Sequence, residues 1–244
     1  MKNTDKTIIL ADALTKTYRS GRLEVPAVRG VSFAVDRGEF VSIVGPSGSG
    51  KSTLFYLLGG LTHATGGRVE IDGVDFASLD DGTRTRMRGA KIGFVFQKFN
   101  LLPTLTALGN IEIAWEVSGQ KGPLDRPYLD HLCDLLSIGS RLNHRPNELS
   151  GGEQQRIAIA RALVTRPAIV LADEPTGNLD TKNSDAVLTM LRHANKELGQ
   201  TVLMITHNPE AAAIGDRILH MRDGCIVSVE AGAGAFTPVV TVGV

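Results

Sequence analysis

Residues 40–58 read FVSIVGPSGSGKSTLFYLL. The apolar run FVSIVG (40–45) ends in glycine and suits a strand. KSTLFYLLGG, starting at Lys51, has helical character, so the stretch is a strand–loop–helix unit. Its loop, Gly45-Pro46-Ser47-Gly48-Ser49-Gly50-Lys51-Ser52, fits G-x-x-x-x-G-K-[ST], and Thr53 follows. Glycines there let the backbone curl until successive N–H groups point at phosphate oxygens. The lysine reaches the β- and γ-phosphates, and the serine hydroxyl ligates Mg²⁺. Four fixed positions arise by chance in about one or two random chains per hundred of this length. A strand before the loop and a helix after it lower that figure greatly. The sequence therefore predicts a nucleotide-binding α/β fold.

Working outward, IVLAD (169–173) and TVLMIT (201–206) are further apolar runs, as expected of strands covered on both faces. Val187, Leu191, Ala194 and Leu198 mark an amphipathic helix between them. Such β/α alternation predicts a mostly parallel sheet. Asp173 and Glu174 end one of these strands. Asp173 there can hold Mg²⁺ through water, and Glu174, one step further out, can accept a proton from an attacking water. Two acids after a strand could also simply cap the next helix. His207 ends the next run, and Gln97 ends IGFVFQ in the same way. Polar residues just past strand C-termini lie where open α/β sheets bind ligands, although a single histidine is often structural.

The first third is β-rich: Val31, Phe33 and Val35 alternate with smaller or polar residues, as do Val69 and Ile71, and Asp72-Gly73 is a turn signal. Between 100 and 148 strand alternation gives way to helical spacing, with Tyr128, Leu132, Leu135 and Leu136 on one face. We read one domain over 1–230, with a helical subdomain inserted at about 98–160, and an uncharged, loose tail over 231–244. The chain has 244 residues, 42% of them hydrophobic, which supports a sizeable core. Lys+Arg and Asp+Glu are 26 each, so the net charge is zero, and a dedicated nucleic-acid binder is not expected. Cys133 and Cys225 form no CxxC pair and read as small apolar residues in a reducing compartment. Neither a signal peptide nor a membrane span is expected.

One more stretch, LSGGEQQRIAIARAL (149–163), sets a serine and two glycines before a helix, a second place to hold an anion. With the loop at 45–53, Gln97, Asp173-Glu174 and His207, it resembles an ATP-binding-cassette (ABC) ATPase over roughly residues 7–230. The resemblance implies a P-loop NTPase core, an N-terminal antiparallel β subdomain and an inserted helical subdomain. It also implies ATP hydrolysis with Mg²⁺. Tyr18 would stack on adenine. Gln97 would contact Mg²⁺ and the attacking water, with Ser52 and Asp173 as its partners at the metal. Glu174 would be the base and His207 the γ-phosphate sensor. Gly177-Asn178-Leu179-Asp180 would form a loop that crosses a dimer interface. Ser150, Gly151 and Gly152 would close over the ATP of a second copy, giving a homodimer in the ATP-bound state. Two departures, Glu153 where glutamine is commoner and GNLD for SALD, replace no phosphate-contacting or catalytic type.

A narrower resemblance, to ATPases serving lipoprotein-release and macrolide-export type transporters, rests on FVFQKFNLLPTLTALGNI (94–111), GGL (59–61) and LADEPTGNLD (171–180). It implies an integral membrane permease as partner, met through about 98–111. It also implies a peripheral location on the cytoplasmic face of the inner or plasma membrane. Residues 99–105, uncharged and apolar, read either as subdomain core or as an exposed cleft for a helix of that partner. A soluble ABC ATPase acting on DNA or ribosomes is the main alternative. It would call for long insertions, zinc motifs or a second cassette, none of which is present. A small-molecule kinase would leave LSGGE and His207 unexplained.

Overall fold

The computed structural model describes residues 6–21 and 23–234. In chain order the strands are β1 (Thr7–Ser20), β2 (Leu23–Asp36), β3 (Phe40–Val44), β4 (Gly66–Ile71), β5 (Val74–Asp75), β6 (Ile92–Phe96), β7 (Ile169–Asp173), β8 (Thr201–Thr206), β9 (Arg217–Arg222) and β10 (Cys225–Ala231). The helices are α1 (Lys51–Leu58), α2 (Asp81–Lys91), α3 (Ala107–Val117), α4 (Arg126–Leu135), α5 (Gly151–Leu163), α6 (Thr181–Leu198) and α7 (Pro209–Ala212). An antiparallel sheet runs β2-β1-β4-β5, and a six-stranded sheet runs β10-β9-β3-β8-β7-β6. Pairing in the larger sheet is parallel from β9 to β6, and only β10 is antiparallel. This is the α/β architecture expected of the sequence.

The continuous apolar strands have a simple cause. Successive side chains alternate between faces, and both faces are covered. Val41, Ile43, Leu171, Leu203 and Ile205 join one core with α1 and the antiparallel sheet. Phe40, Val170, Ala172, Val202 and Met204 join the other, with α3 to α6. In α6 the stripe Val187, Leu191 and Ala194 is buried against that second core. Asp180 caps its start by accepting from the Asn183 amide at 2.8 Å, and Gly199, at φ 62°, ends it.

Register decides where the site lies. Val44 pairs with Thr206, Ile205 with Asp173, and Asp173 with Phe96. The residues that follow or end these strands, Gly45, His207, Glu174 and Gln97, therefore emerge along one edge of the sheet.

The start of the expected tail is more ordered than its composition suggests. Ala231 completes β10, and the amides of Gly232, Ala233 and Gly234 donate to Asp216, Ala213 and Gly215. Arg192, paired with Asp216 at 2.6 Å, also donates to the Gly234 carbonyl at 2.8 Å. A run of small residues is what such close backbone docking needs. The rest of that tail, 235–244, lies outside the described residues.

Candidate active site

The loop between β3 and α1 is wedged between two strands. Gly50 has φ 98°, and a Cβ there would run into the Ala27 carbonyl of β2. A Cβ on Gly45 would strike the Met221 carbonyl of β9. The first turn of α1 carries Ser52, exposed, and Thr53, half-buried. Pro46, Ser47 and Gly48 form the exposed crest, and Ser49 is buried beneath it. Lys51 is only 8% exposed. Its Nζ donates to the carbonyls of Gly45 at 2.7 Å and Pro46 at 2.9 Å, so the ammonium lies inside the curl of the loop.

Burial pushes the Lys51 pKa down, while Glu174 and Asp173 pull it back up. Burial and the neighbouring Glu174 push Asp173 up, and Lys51 opposes them. Lysine and acids therefore share one half-desolvated space, in which two carboxylates face a single cation. A hard divalent ion relieves that imbalance. Ser52 Oγ, the Asp173 carboxylate and the Gln97 amide oxygen are the oxygen donors that suit Mg²⁺.

Glu174 has φ 47°, a left-handed conformation that costs a non-glycine residue about 1–2 kcal/mol. Its amide donates to Ile205 O at 2.8 Å, which fixes the turn. The carboxylate is then held at both oxygens: Thr206 Oγ1 donates to Oε2 at 3.0 Å, and His207 Nδ1 lies 2.7 Å from Oε1. Strain of this kind is what functional positions store. Gln97, beside Glu174 at the end of β6, donates from Nε2 to Asn178 Oδ1 at 3.3 Å, and Asn178 Nδ2 returns a bond to Gln97 O at 3.0 Å. The loop 177–180 is thus tied to Gln97, and its Asp180 serves as the cap of α6.

Ser150, Gly151 and Gly152 form the start of α5, beside Leu179 and Asn183, and make no hydrogen bond to Lys51 or its loop among the described residues. Ser150 caps the helix in a reciprocal box: Glu153 N donates to Ser150 Oγ at 3.3 Å, and Ser150 N donates to Glu153 Oε2 at 2.8 Å. Ser150 Oγ also donates to Oε2, at 2.9 Å. Arg141 completes the arrangement at 2.5 Å from Oε1 and, as the largest cause, holds the Glu153 pKa down at about 2. Glu153 thus shapes the motif directly. Gly152 lies close to α6: a Cβ there would come within 2.5 Å of Asn183 Oδ1 and would displace that side chain. Gly151 lies against Leu179 and the Phe99 ring. Tyr18 stands on β1 opposite Val25, 42% exposed, with Lys16 Nζ 5.0 Å from its ring.

The structure therefore gathers Lys51, Asp173, Glu174, His207 and Gln97 at one edge and sets Ser150–Gly152 apart. The sequence reading passed over Thr206, Arg141 and the structural part played by Glu153. The last had a local signal, S-x-x-E at 150–153, which is the capping-box pattern. Thr206 had a weaker one, a polar residue closing an apolar run.

Residues 28–177 match the family described as ABC transporter. The chain is 48% identical over 215 residues to an uncharacterized ABC transporter ATP-binding protein of Thermotoga maritima, covering 88% of this chain and 92% of that one. It is 48% identical over 214 residues to the lipoprotein-releasing system ATP-binding protein LolD of Anaeromyxobacter dehalogenans, covering 87% and 90%. The macrolide export ATP-binding/permease protein MacB of Syntrophobacter fumaroxidans is 42% identical over 230 residues. That match covers 93% of this chain but only 32% of the longer protein. Among solved structures, the cassette MJ0796 of Methanocaldococcus jannaschii, dimeric in a post-hydrolysis state bound to ADP and Pi, superposes with a TM-score of 0.82. It is 41% identical, with 92% of this chain and 98% of that one covered.

Proposed function

The chain belongs to the ABC transporter family and is an ATP-binding, ATP-hydrolysing subunit, and from that premise we propose how its residues divide the work. Residues 1–230 act as one ATPase domain, with 98–160 as its helical insertion. The observation that carries the reading is the separation just described. The loop at 45–53 and the start of α5 are both anion sites, yet among the described residues no hydrogen bond joins them: the loop is held between Ala27 and Met221, while Gly152 meets Asn183 of α6. Two chains packed head to tail unite each loop with the other chain's Ser150, Gly151 and Gly152, and each ATP lies at the seam. Concentrated negative charge between two N–H-rich surfaces then makes association depend on the γ-phosphate.

Within one such site the loop and Lys51 hold the β- and γ-phosphates, and Tyr18 stacks on adenine. Glu174, fixed by Thr206 and His207, takes the proton from the attacking water. Gln97 orients that water, and His207 reports the γ-phosphate. Ser52, Asp173 and Gln97 would hold magnesium, which would supply positive charge to the phosphates. Asp180, fixed as a helix cap, sets the loop that crosses the interface.

Mixing two defective chains tests the two-chain site. Ser150→Arg blocks the signature and leaves its own loop intact, while Lys51→Ala does the reverse. Each alone is expected to be inactive. Together they recover one composite site and measurable phosphate release. No activity in the mixture, with each variant folded, would refute action across the interface.

The protein works on an integral membrane permease from the cytoplasmic face, as a peripheral subunit. Among the described residues no helix is long and apolar enough to cross a membrane. The relatives named for lipoprotein release and macrolide export support export, or extraction of lipoprotein or lipid, as the work done. Contact runs through 98–111. Leu101 packs against the core, but Leu102 is 46% exposed. Fully buried Asn110 clamps the Leu102 backbone, accepting from its amide at 2.7 Å and donating to its carbonyl at 3.1 Å. An apolar side chain held outward on a rigid loop suits a short helix of a partner. Leu102→Glu is expected to leave the thermal transition and ATPase rate near wild type and to abolish co-purification with the permease. A lost transition would instead assign Leu102 to the core.

A further inference from the structure

The helix that begins with the signature also grips its own chain at the segment carrying Gln97. Gln155, fully buried on α5, donates from Nε2 to the carbonyl of Pro175 at 2.6 Å and, more weakly, to that of Phe96 at 3.4 Å. Pro175 follows Glu174, and Phe96 precedes Gln97. Six residues further along α5, Arg161 donates to the carbonyls of Phe99 at 2.8 Å and Asn100 at 2.5 Å. These two residues have φ 59° and 51°, an uncommon backbone for non-glycine residues, and it turns both carbonyls to one guanidinium. At the head of the helix, Gly151 lies against the Phe99 ring. Residues 96–100 are thus held from α5 on both sides of Gln97.

Packing alone does not account for Gln155. It occupies an apolar stripe with Gly152, Ile159 and Ala162. Its Oε1 is buried without a hydrogen-bond partner among the described residues, a position where an apolar side chain of similar size costs less. What the glutamine adds is the pair of bonds to the backbone next to Glu174 and Gln97.

We propose that α5 serves both ATP sites of the dimer: its N-terminus closes on the partner's ATP, while Gln155 and Arg161 position this chain's own Gln97 and Glu174. Gln155 and Arg161 are positioning residues, since they touch backbone carbonyls and no reacting atom. The inference rests on the head-to-tail reading and deepens it.

The mixed dimer separates this role from a merely structural one. Let one chain carry Ser150→Arg and the other Lys51→Ala. The single competent site then uses the P-loop, Gln97 and Glu174 of the first chain and the signature of the second. Gln155→Met added to the first chain is expected to lower kcat at least tenfold, with KM for ATP changed less than threefold. Added to the second chain, whose own P-loop is already disabled, it is expected to keep at least half the turnover. Equal losses in both placements would mean that Gln155 only supports α5. A loss confined to the second chain, or none in either, would also overturn the proposal. If Gln155→Met lacks a cooperative thermal transition, Arg161→Lys, which retains the charge but loses the two-carbonyl grip, is placed in the same two positions with the same expectations. If the mixture is inactive before any third substitution while the wild type hydrolyses ATP, the head-to-tail reading has failed, and this inference with it.

Discussion

Glu174→Gln is expected to slow turnover by about 10²–10⁴, the worth of a positioned base, or ~3–5 kcal/mol, while ATP binding survives. The substitution is nearly isosteric. Its amide oxygen can still accept from Thr206 Oγ1, and its amide nitrogen can face His207 Nδ1, so both anchors of the side chain have replacements. The φ of 47° is no harder for glutamine than for glutamate. Only the ability to take a proton goes. ATP that is bound but not hydrolysed should then hold two chains together, because the γ-phosphate stays between one chain's loop and the other's Ser150–Gly152. Light scattering in saturating ATP should show a dimer for Glu174→Gln, whereas wild type cycles between the two states. A variant seen only as monomer under those conditions would break the head-to-tail reading. One that turns over at the wild-type rate would remove Glu174 from the role of base.

The parts of this molecule that were legible in the sequence are those whose cause is local. The strand–loop–helix unit at 40–58 can be read because a phosphate loop needs glycine at fixed positions next to a lysine. Parallel strands such as Ile169–Asp173 can be read because burial on both faces removes polar residues from the run. The row of Gln97, Glu174 and His207 follows from the same logic, since each ends or follows an apolar strand. The N-terminal sheet announces itself by alternation, with Val31 and Val35 buried and paired against β1.

What escaped the sequence depends on pairs far apart in the chain. Arg161 meets Phe99 and Asn100 across some sixty residues, and Gln155 reaches Pro175 across twenty. No periodicity encodes these contacts. The only trace is a polar residue in an apolar helical stripe, which reads equally well as an exposed side chain until the neighbouring helix is known. Whether 99–105 is core or surface was likewise undecidable from composition. It is divided residue by residue by one buried asparagine, eight positions away from the leucine that it holds outward. Glu153, a departure of little weight as a letter, is the acid that accepts from Ser150 and pairs with Arg141. The docking of 231–234, the start of the expected tail, escaped for a related reason: small uncharged residues serve both for loose chain and for backbone docked closely on Asp216 and Ala213.

Lys51→Ala is expected to remove nucleotide binding almost entirely, and hydrolysis with it. In the protein alone the ammonium is already enclosed by the carbonyls of Gly45 and Pro46 and is only 8% exposed. It is thus pre-positioned, with little side-chain freedom left to lose when phosphate arrives. Hydrogen bonds to charged groups contribute about 1.5–3 kcal/mol each. Two such bonds to the β- and γ-phosphates make the loss in affinity ~10²–10⁴-fold. The same change leaves Asp173 and Glu174 without their nearby side-chain cation, which weakens the site for the triphosphate further. Lys51→Arg is not expected to rescue binding, because a planar guanidinium does not fit where a compact ammonium sits between two carbonyls. AMP, which lacks both phosphates, should bind wild type and variant about equally. The decisive measurement is an equilibrium titration of each protein with ATP and with AMP, on samples shown to unfold cooperatively. ATP affinity in Lys51→Ala within a few-fold of wild type would refute the assignment of this lysine. A parallel loss of ATP and AMP binding would show that the loop had collapsed rather than lost a phosphate contact.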